Sequence, residues 1–321
     1  MKAAILYKAG ELPKYGDFPI PLTGKDEIIV NIKATSVKNI DRMRVNGTHY
    51  DSHQNYPTVV GVDGAGILDD GTRVFTGSPN GTMAEKVAVN KHWVMPIPDN
   101  VDFITAAAIP NPAISAWLSL EWKGQLKKGG KVLLIGATGI TGKLAVQIAK
   151  HLGAAKVVAM GRNPIGIRAL KKLGADVVIS LDQADTPIKE ALRSEIKDQP
   201  FDVIIDYLWG EPAELVLNVV SGHDINGIAH LTRYVQIGEM AGSSIVLPAA
   251  ALRSILLEIS GLGGGSIPGE ILKRVQFEIL PKIFELTAAG LLTIEVETAR
   301  IENVETAWQK DVTGKRLVIL I

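Results

Sequence analysis

The sequence predicts an α/β protein, a doubly wound parallel sheet joined to a β-rich domain, and three observations carry that expectation. Short apolar runs rich in β-branched residues, "KVLLI", "KVVAM", "DVVIS", "DVIID", "RYVQI" and "LLEIS", recur between residues 131 and 260. Segments with helical spacing, such as "KLAVQIAKHLG" and "PIGIRALKKLG", fall between them, as a parallel sheet covered on both faces requires. The preceding part of the chain lacks such helices and reads as short strands between turns.

Residues 1–115 hold the strand-like runs "AAILY", "EIIVNIKATSV" and "EKVAV", with turn clusters "SPNGT" and "DDGT" between them. From Asn111 the segment "NPAISAWLSLEWKG" takes helical spacing, and "LKKGG" then turns the chain into the buried run "KVLLI". A second domain is therefore expected over residues 116–264. Beyond it, "GEILKRVQFEILPKIFELTAAG" is an amphipathic helix and "KRLVILI" a closing strand. The segment 265–321 is expected to return to the first domain and complete its sheet.

Composition excludes several classes. The 34 basic and 34 acidic residues cancel, so no broad field exists to hold a nucleic-acid backbone or an anionic membrane. Without cysteine there is no disulfide and no thiolate metal site. The start "MKAAILYKAG" lacks the apolar core of a secretory signal, and Gly, Pro or charge interrupts every apolar run before membrane-spanning length. A soluble cytoplasmic protein with small-molecule ligands is the expectation.

The segment "KVLLIGATGITGKLAVQIAK", residues 131–150, places Gly136, Gly139 and Gly142 between a strand and a helix. Glycine lets the chain turn off the strand, lets backbone approach a pyrophosphate and lets the helix pack close. The unpaired N–H groups at the helix start then face the phosphates with the positive end of the helix dipole. Gly136, Thr138, Gly139, Ile140, Thr141 and Gly142 are candidate cofactor contacts; a tight turn that binds nothing is the plainer alternative. At the end of the next strand, "VVAMGRNP" has no acid to take a ribose 2′-hydroxyl. Gly161, Arg162 and Asn163 stand there instead, and the Arg162 guanidinium suits the 2′-phosphate of NADP(H) unless it is merely solvated. Asn163 and Pro164 also suit a helix cap and first helical residue.

Taken with "GVDGAGIL", "GTRVFTG", "GTMAEKVAV", "AAAIPNPAISAW" and "RYVQIGEMAG" in that order, the chain resembles the medium-chain dehydrogenase/reductase superfamily, in its zinc-independent quinone oxidoreductase-like branch. The resemblance covers essentially the whole chain. It implies a GroES-like β domain, a Rossmann domain, an active site in the cleft between them and a homodimer. It also implies cofactor contacts at Gly238 in "QIGEMAG" and at Leu262 and Gly263 in "SGLGGGSIP".

Zinc-bearing members of the superfamily have cysteine and histidine ligands where this chain has Lys38 and Val62, neither an ordinary zinc ligand. Zinc-free relatives usually have Asn-Pro where Lys38-Asn39 stands, and a phosphate-binding lysine where Gly166 stands. No metal is expected. Hydride addition to a quinone or conjugated enone spreads negative charge over a phenolate or enolate, so it needs no Lewis acid for an alkoxide.

The polar candidates for such a cleft are Lys38, Asp41, His49 and Tyr50 in "SVKNIDRMRVNGTHYD", with Asp63 after the vacant ligand position. Lys38 is read as a donor to ribose or acceptor oxygen, or as a salt bridge to Asp41 or Asp63. Tyr50 is read as a proton donor or stacking platform, or as an ordinary loop residue. Asp206 and Trp209 in "DVIIDYLWG" fall at the edge where such sheets bind ligands, Trp209 shaping the cleft or packing helix on sheet. His92, His151, His223 and His230 lack ligand spacing and are read as surface or packing residues. The expected activity is NADPH-dependent reduction of a quinone or α,β-unsaturated carbonyl. The alternatives are an enoyl-thioester reductase, for which no basic channel is visible, and an NADPH-binding sensor without turnover.

Overall fold

The strand Lys131–Ile135 is buried at every residue, as a run of Lys, Val, Leu and Ile must be when helices cover both faces of a sheet. In the computed structural model, which describes residues 1–221 and 230–321, it sits in the middle of a six-stranded sheet. The other strands are Lys156–Gly161, Val177–Ser180, Val203–Asp206, Thr232–Gln236 and Leu257–Gly261. Numbered along the chain from Lys131–Ile135, they lie in the order 3-2-1-4-5-6, and each pairs in parallel with its neighbours. That order reverses between the first and fourth strands, the switch point where doubly wound sheets open a crevice. This compact unit spans Pro112–Lys273.

Its helices follow from the pattern of the sequence. Ile140–His151 buries Leu144, Ala145, Val146, Ile148 and Ala149 and turns its ends to solvent. Pro164–Lys172 begins where Asn163 accepts the Gly166 N–H at 2.9 Å. The helix Pro110–Trp117 widens into i→i−5 turns over Leu118–Lys123, closed by Gly124 N–H donating to the Ser119 carbonyl. Leu133, Ile135, Val158, Met160, Ile204, Phe201, Val216 and Tyr234 form part of the core.

The other compact unit joins Met1–Asn111 to Arg274–Ile321. The sequence reading set these breaks at 115 and 264. The long strand Glu27–Val37 organises the unit, pairing antiparallel with Lys86–Asn90 through its first half and with Asp63–Ile67 through its second. A bulge between Ile32 and Ala34 interrupts the pairing with Asp63–Ile67. The chain's last strand, Arg316–Leu320, adds antiparallel to Ala34–Val37, and Val296–Arg300 lies parallel to it beyond. Ala4, Leu6, Val37, Val45, Trp308, Leu317 and Ile319 pack together beneath. No helix among the described residues is long and apolar enough to cross a membrane.

Candidate active site

Parallel topology by itself brings the predicted cofactor residues to one edge of the sheet. Gly136–Gly142 follow the first strand, Arg162 and Asn163 the second beyond Gly161, Gly238 the fifth, and Leu262 and Gly263 the sixth. All lie at or just past the C-terminal ends of strands, where such sheets bind dinucleotides.

The glycine turn is shaped as a cradle. Gly136 has φ +85°, a left-handed conformation that side chains rarely take. A Cβ on Gly142 would lie 2.5 Å from the Ala137 Cα and 2.7 Å from the Gly136 carbonyl oxygen, so the helix start packs directly against the turn. Gly139 differs: its Cβ would meet only the Gly136 carbonyl, at an ordinary 3.5 Å. Gly139 is also the N-cap and has no side chain to satisfy the N–H groups of Ile140, Thr141 and Gly142. Those donors and the open face at Gly139 fit a pyrophosphate.

Thr138 fills the space beside this turn. Its side chain lies where a Cβ on Gly161 would stand, and 2.8 Å from the place of a Cβ on Gly166. A lysine at 166, as in zinc-free relatives, therefore has no room without moving Thr138. Arg162 is exposed and makes no hydrogen bond or ion pair with another described residue, so its guanidinium is available to an anion. A Cβ on Gly238 would lie 2.5 Å from the Tyr207 carbonyl oxygen; Leu262 is buried, while Gly263 is open and donates its N–H to Ser266 Oγ.

In the other unit Lys38 and Asp41 face each other in a buried ion cluster. Lys38 is 2% exposed, and its ammonium meets the Ser36 carbonyl at 2.8 Å, Asp63 Oδ1 at 2.9 Å and Asp41 Oδ2 at 3.3 Å. The ammonium thus pairs with two carboxylates and donates to one carbonyl, the salt bridge that the sequence offered as one reading of Lys38. Asp41 is equally occupied, accepting the Val62 N–H at 2.9 Å and the Lys38 N–H at 2.8 Å as it caps the helix Asn39–Asn46. Burial pushes the Asp63 carboxyl above its ordinary value, against the pull of Lys38. Tyr50, 76% exposed, lies in a loop with its ring 4.0 Å from that of His49.

The histidines stand apart. His92 is exposed on a short turn, His151 lies beside the Trp117 ring, and His230 lies 3.2 Å from Asp202; His223 is outside the described residues. No group of three metal-binding side chains gathers among the described residues.

Residues 139–223 match the family model of zinc-binding dehydrogenases. The "Probable NADPH-dependent quinone reductase tdiC" of Emericella nidulans is 25% identical over 354 aligned positions, covering 96% of each chain. The quinone oxidoreductase of Sus scrofa is 29% identical over 252 positions, 74% of this chain and 73% of its own. Among solved structures, the quinone oxidoreductase of Thermus thermophilus, described also in complex with NADPH, matches in fold with a TM-score of 0.78. That match covers 100% of both chains at 24% identity. The chain is thus similar, over most of its length, to quinone oxidoreductases.

Two buried residues escaped the sequence reading. Arg316, inside the last strand, donates to the Val37 carbonyl at 3.0 Å; burial lowers its pKa against the opposing pull of Asp41 and Asp63. A lone cation within the apolar run "RLVIL" is the signal that could have found it. Tyr234, on the fifth strand, donates its hydroxyl to Asp206 Oδ2 at 2.6 Å. Burial raises the pKa of both, and the Tyr234 hydrogen bond only partly offsets it at Asp206. Trp209 sides with the core, its ring edge-on to Tyr234 at 6.2 Å.

Proposed function

We propose that this oxidoreductase transfers hydride from NADPH to a quinone or an α,β-unsaturated carbonyl, without a catalytic zinc. The observation that carries the reading is the uncapped glycine turn at the switch point: a helix start with free donors, beside Gly139, where a Cβ would meet only the Gly136 carbonyl at ordinary contact distance. The exposed, unpaired Arg162 at the end of the second strand favours the 2′-phosphate, and the names of the relatives agree with NADPH.

NADPH supplies the hydride and its two electrons when bound. Gly136, Gly139, Gly142 and the helix N–H groups hold the pyrophosphate, Arg162 the 2′-phosphate, and the loops at Gly238 and Leu262–Gly263 the far end of the cofactor. Lys38 stands where zinc-bearing relatives have a ligand, and it is committed to two carboxylates. The substrates that suit such a site are those whose developing charge delocalises over a conjugated system. The remaining proton comes from solvent or from an exposed donor such as Tyr50.

Stopped-flow mixing with NADPH and a panel of quinones and enones tests the proposal. Loss of NADPH absorbance that depends on the acceptor is expected, with slower turnover from NADH. Tight NADPH binding with no oxidation by any acceptor would overturn it in favour of a sensor.

A further inference from the structure

Asp206 ends the fourth strand with a carboxylate that is 0% exposed. One oxygen accepts the Leu208 N–H at 2.8 Å and the Trp209 N–H at 3.0 Å; the other accepts the Tyr234 hydroxyl at 2.6 Å. Three donors on one buried carboxylate make a rigid fixture. What it fixes is a turn the chain resists. Trp209 has φ +57° and ψ −159°, a conformation that non-glycine residues avoid, and Gly210 follows at φ +58°.

This turn interlocks with the loops on either side. A Cβ on Gly136 would lie 3.0 Å from the Leu208 side chain, and one on Gly238 would lie 2.5 Å from the Tyr207 carbonyl oxygen. Ala241 N–H donates to the Leu208 carbonyl at 2.8 Å, and a Cβ on Gly210 would lie 2.6 Å from the Ala241 carbonyl oxygen. The loops after the first, fourth and fifth strands therefore meet at van der Waals distance, with the middle one pinned from beneath.

We infer that Asp206, braced by Tyr234, is a positioning residue for the cofactor: through the turn Tyr207–Gly210 it sets where the Gly136 and Gly238 loops stand. The inference rests on the NADPH reading above. Asp206 stays buried in the core and acts through backbone.

Calorimetric titration of the full chain with NADPH and with 2′,5′-ADP, beside a thermal melt of each variant, tests it. D206A is expected to weaken NADPH binding about tenfold or more, while D206N, whose amide oxygen still accepts both backbone N–H groups, stays within about threefold. Binding of 2′,5′-ADP, which engages the Arg162 end, is expected to change less than about threefold in both. A folded D206A that binds NADPH as the wild type does, or that loses both ligands equally, would overturn the inference. Should D206A fail to fold, Y234F keeps the ring and removes only the brace: a lower melting temperature with unchanged NADPH affinity would overturn it too. Absence of NADPH binding by the wild type would instead remove the cofactor reading and this inference with it.

Discussion

The Lys38 ammonium lies 2.9 Å from the Asp63 carboxylate, and both side chains are buried. Removing the cation strands a carboxylate whose pKa burial already raises. K38M is therefore expected to destabilise the protein by about 3–5 kcal/mol at neutral pH and above. The sign with pH follows from proton binding. In K38M the native Asp63 holds a proton that the unfolded chain, titrating near the ordinary value of 3.8, has released. Stability of the variant then falls as pH rises through the native pKa. Urea unfolding of K38M and wild type at mildly acidic and alkaline pH measures this, and a difference independent of pH would show that Asp63 is not the stranded group.

Gly139 separates a structural glycine from a ligand-facing one. At Gly142 an added methyl collides with the turn's own backbone, so G142A is expected to lose both stability and NADPH affinity. G139A meets only one carbonyl at 3.5 Å and has an unstrained φ of −73°, so its melting temperature should hold within a few degrees. Its NADPH affinity is nonetheless expected to fall at least about tenfold, because the methyl occupies the pyrophosphate's approach. Wild-type affinity in G139A would place the phosphates elsewhere.

How much of this could be read in the sequence follows from how local each feature is. The strands of the parallel sheet stood out as apolar runs, most plainly Lys131–Ile135, Lys156–Gly161 and Val203–Asp206, where burial on both faces removes the polar alternation. The glycine turn was legible because its geometry is made by residues adjacent in the chain. The Lys38 cluster was legible only as alternatives, because its partners come from a different strand and, in Arg316, from the far end of the chain. The Tyr234–Asp206 bond was hidden for a similar reason: it depends on how neighbouring strands pair. The widened turns at Leu118–Lys123 and Val275–Ile279 were read as ordinary helix, since one extra residue per turn barely disturbs apolar spacing over so few residues.

At the opposite edge of the parallel sheet, Glu195 lies 2.6 Å from Lys156 and 3.1 Å from Lys131. Burial alone would raise its pKa, but the two lysines outweigh burial and hold it below 4.5. A depressed carboxylate contributes stability that is present above its unfolded value and lost as pH falls through the folded one. The melting temperature of the wild type should therefore drop more steeply below about pH 4.5 than that of E195Q. Parallel curves for the two proteins would show that this cluster plays no part in acid unfolding.

On the proposed function, Arg162 is the charge expected to choose between the two nicotinamide cofactors. It stands exposed after the second strand, without a partner among the described residues, while Thr138 closes the neighbouring space at Gly166. One guanidinium is therefore expected to carry most of the discrimination. R162E replaces attraction for the 2′-phosphate with repulsion and supplies the acceptor that a ribose 2′-hydroxyl prefers. Its kcat/KM for NADPH should fall about 100-fold or more, a loss of about 2.7 kcal/mol, while that for NADH holds or rises. G166K alone should not strengthen NADPH binding, because Thr138 already occupies the lysine's path. T138A/G166K opens that path and is expected to lower the KM for NADPH relative to T138A. Steady-state kinetics with both cofactors at low and moderate salt measures each variant; an NADPH preference that survives R162E would place the 2′-phosphate away from the second strand.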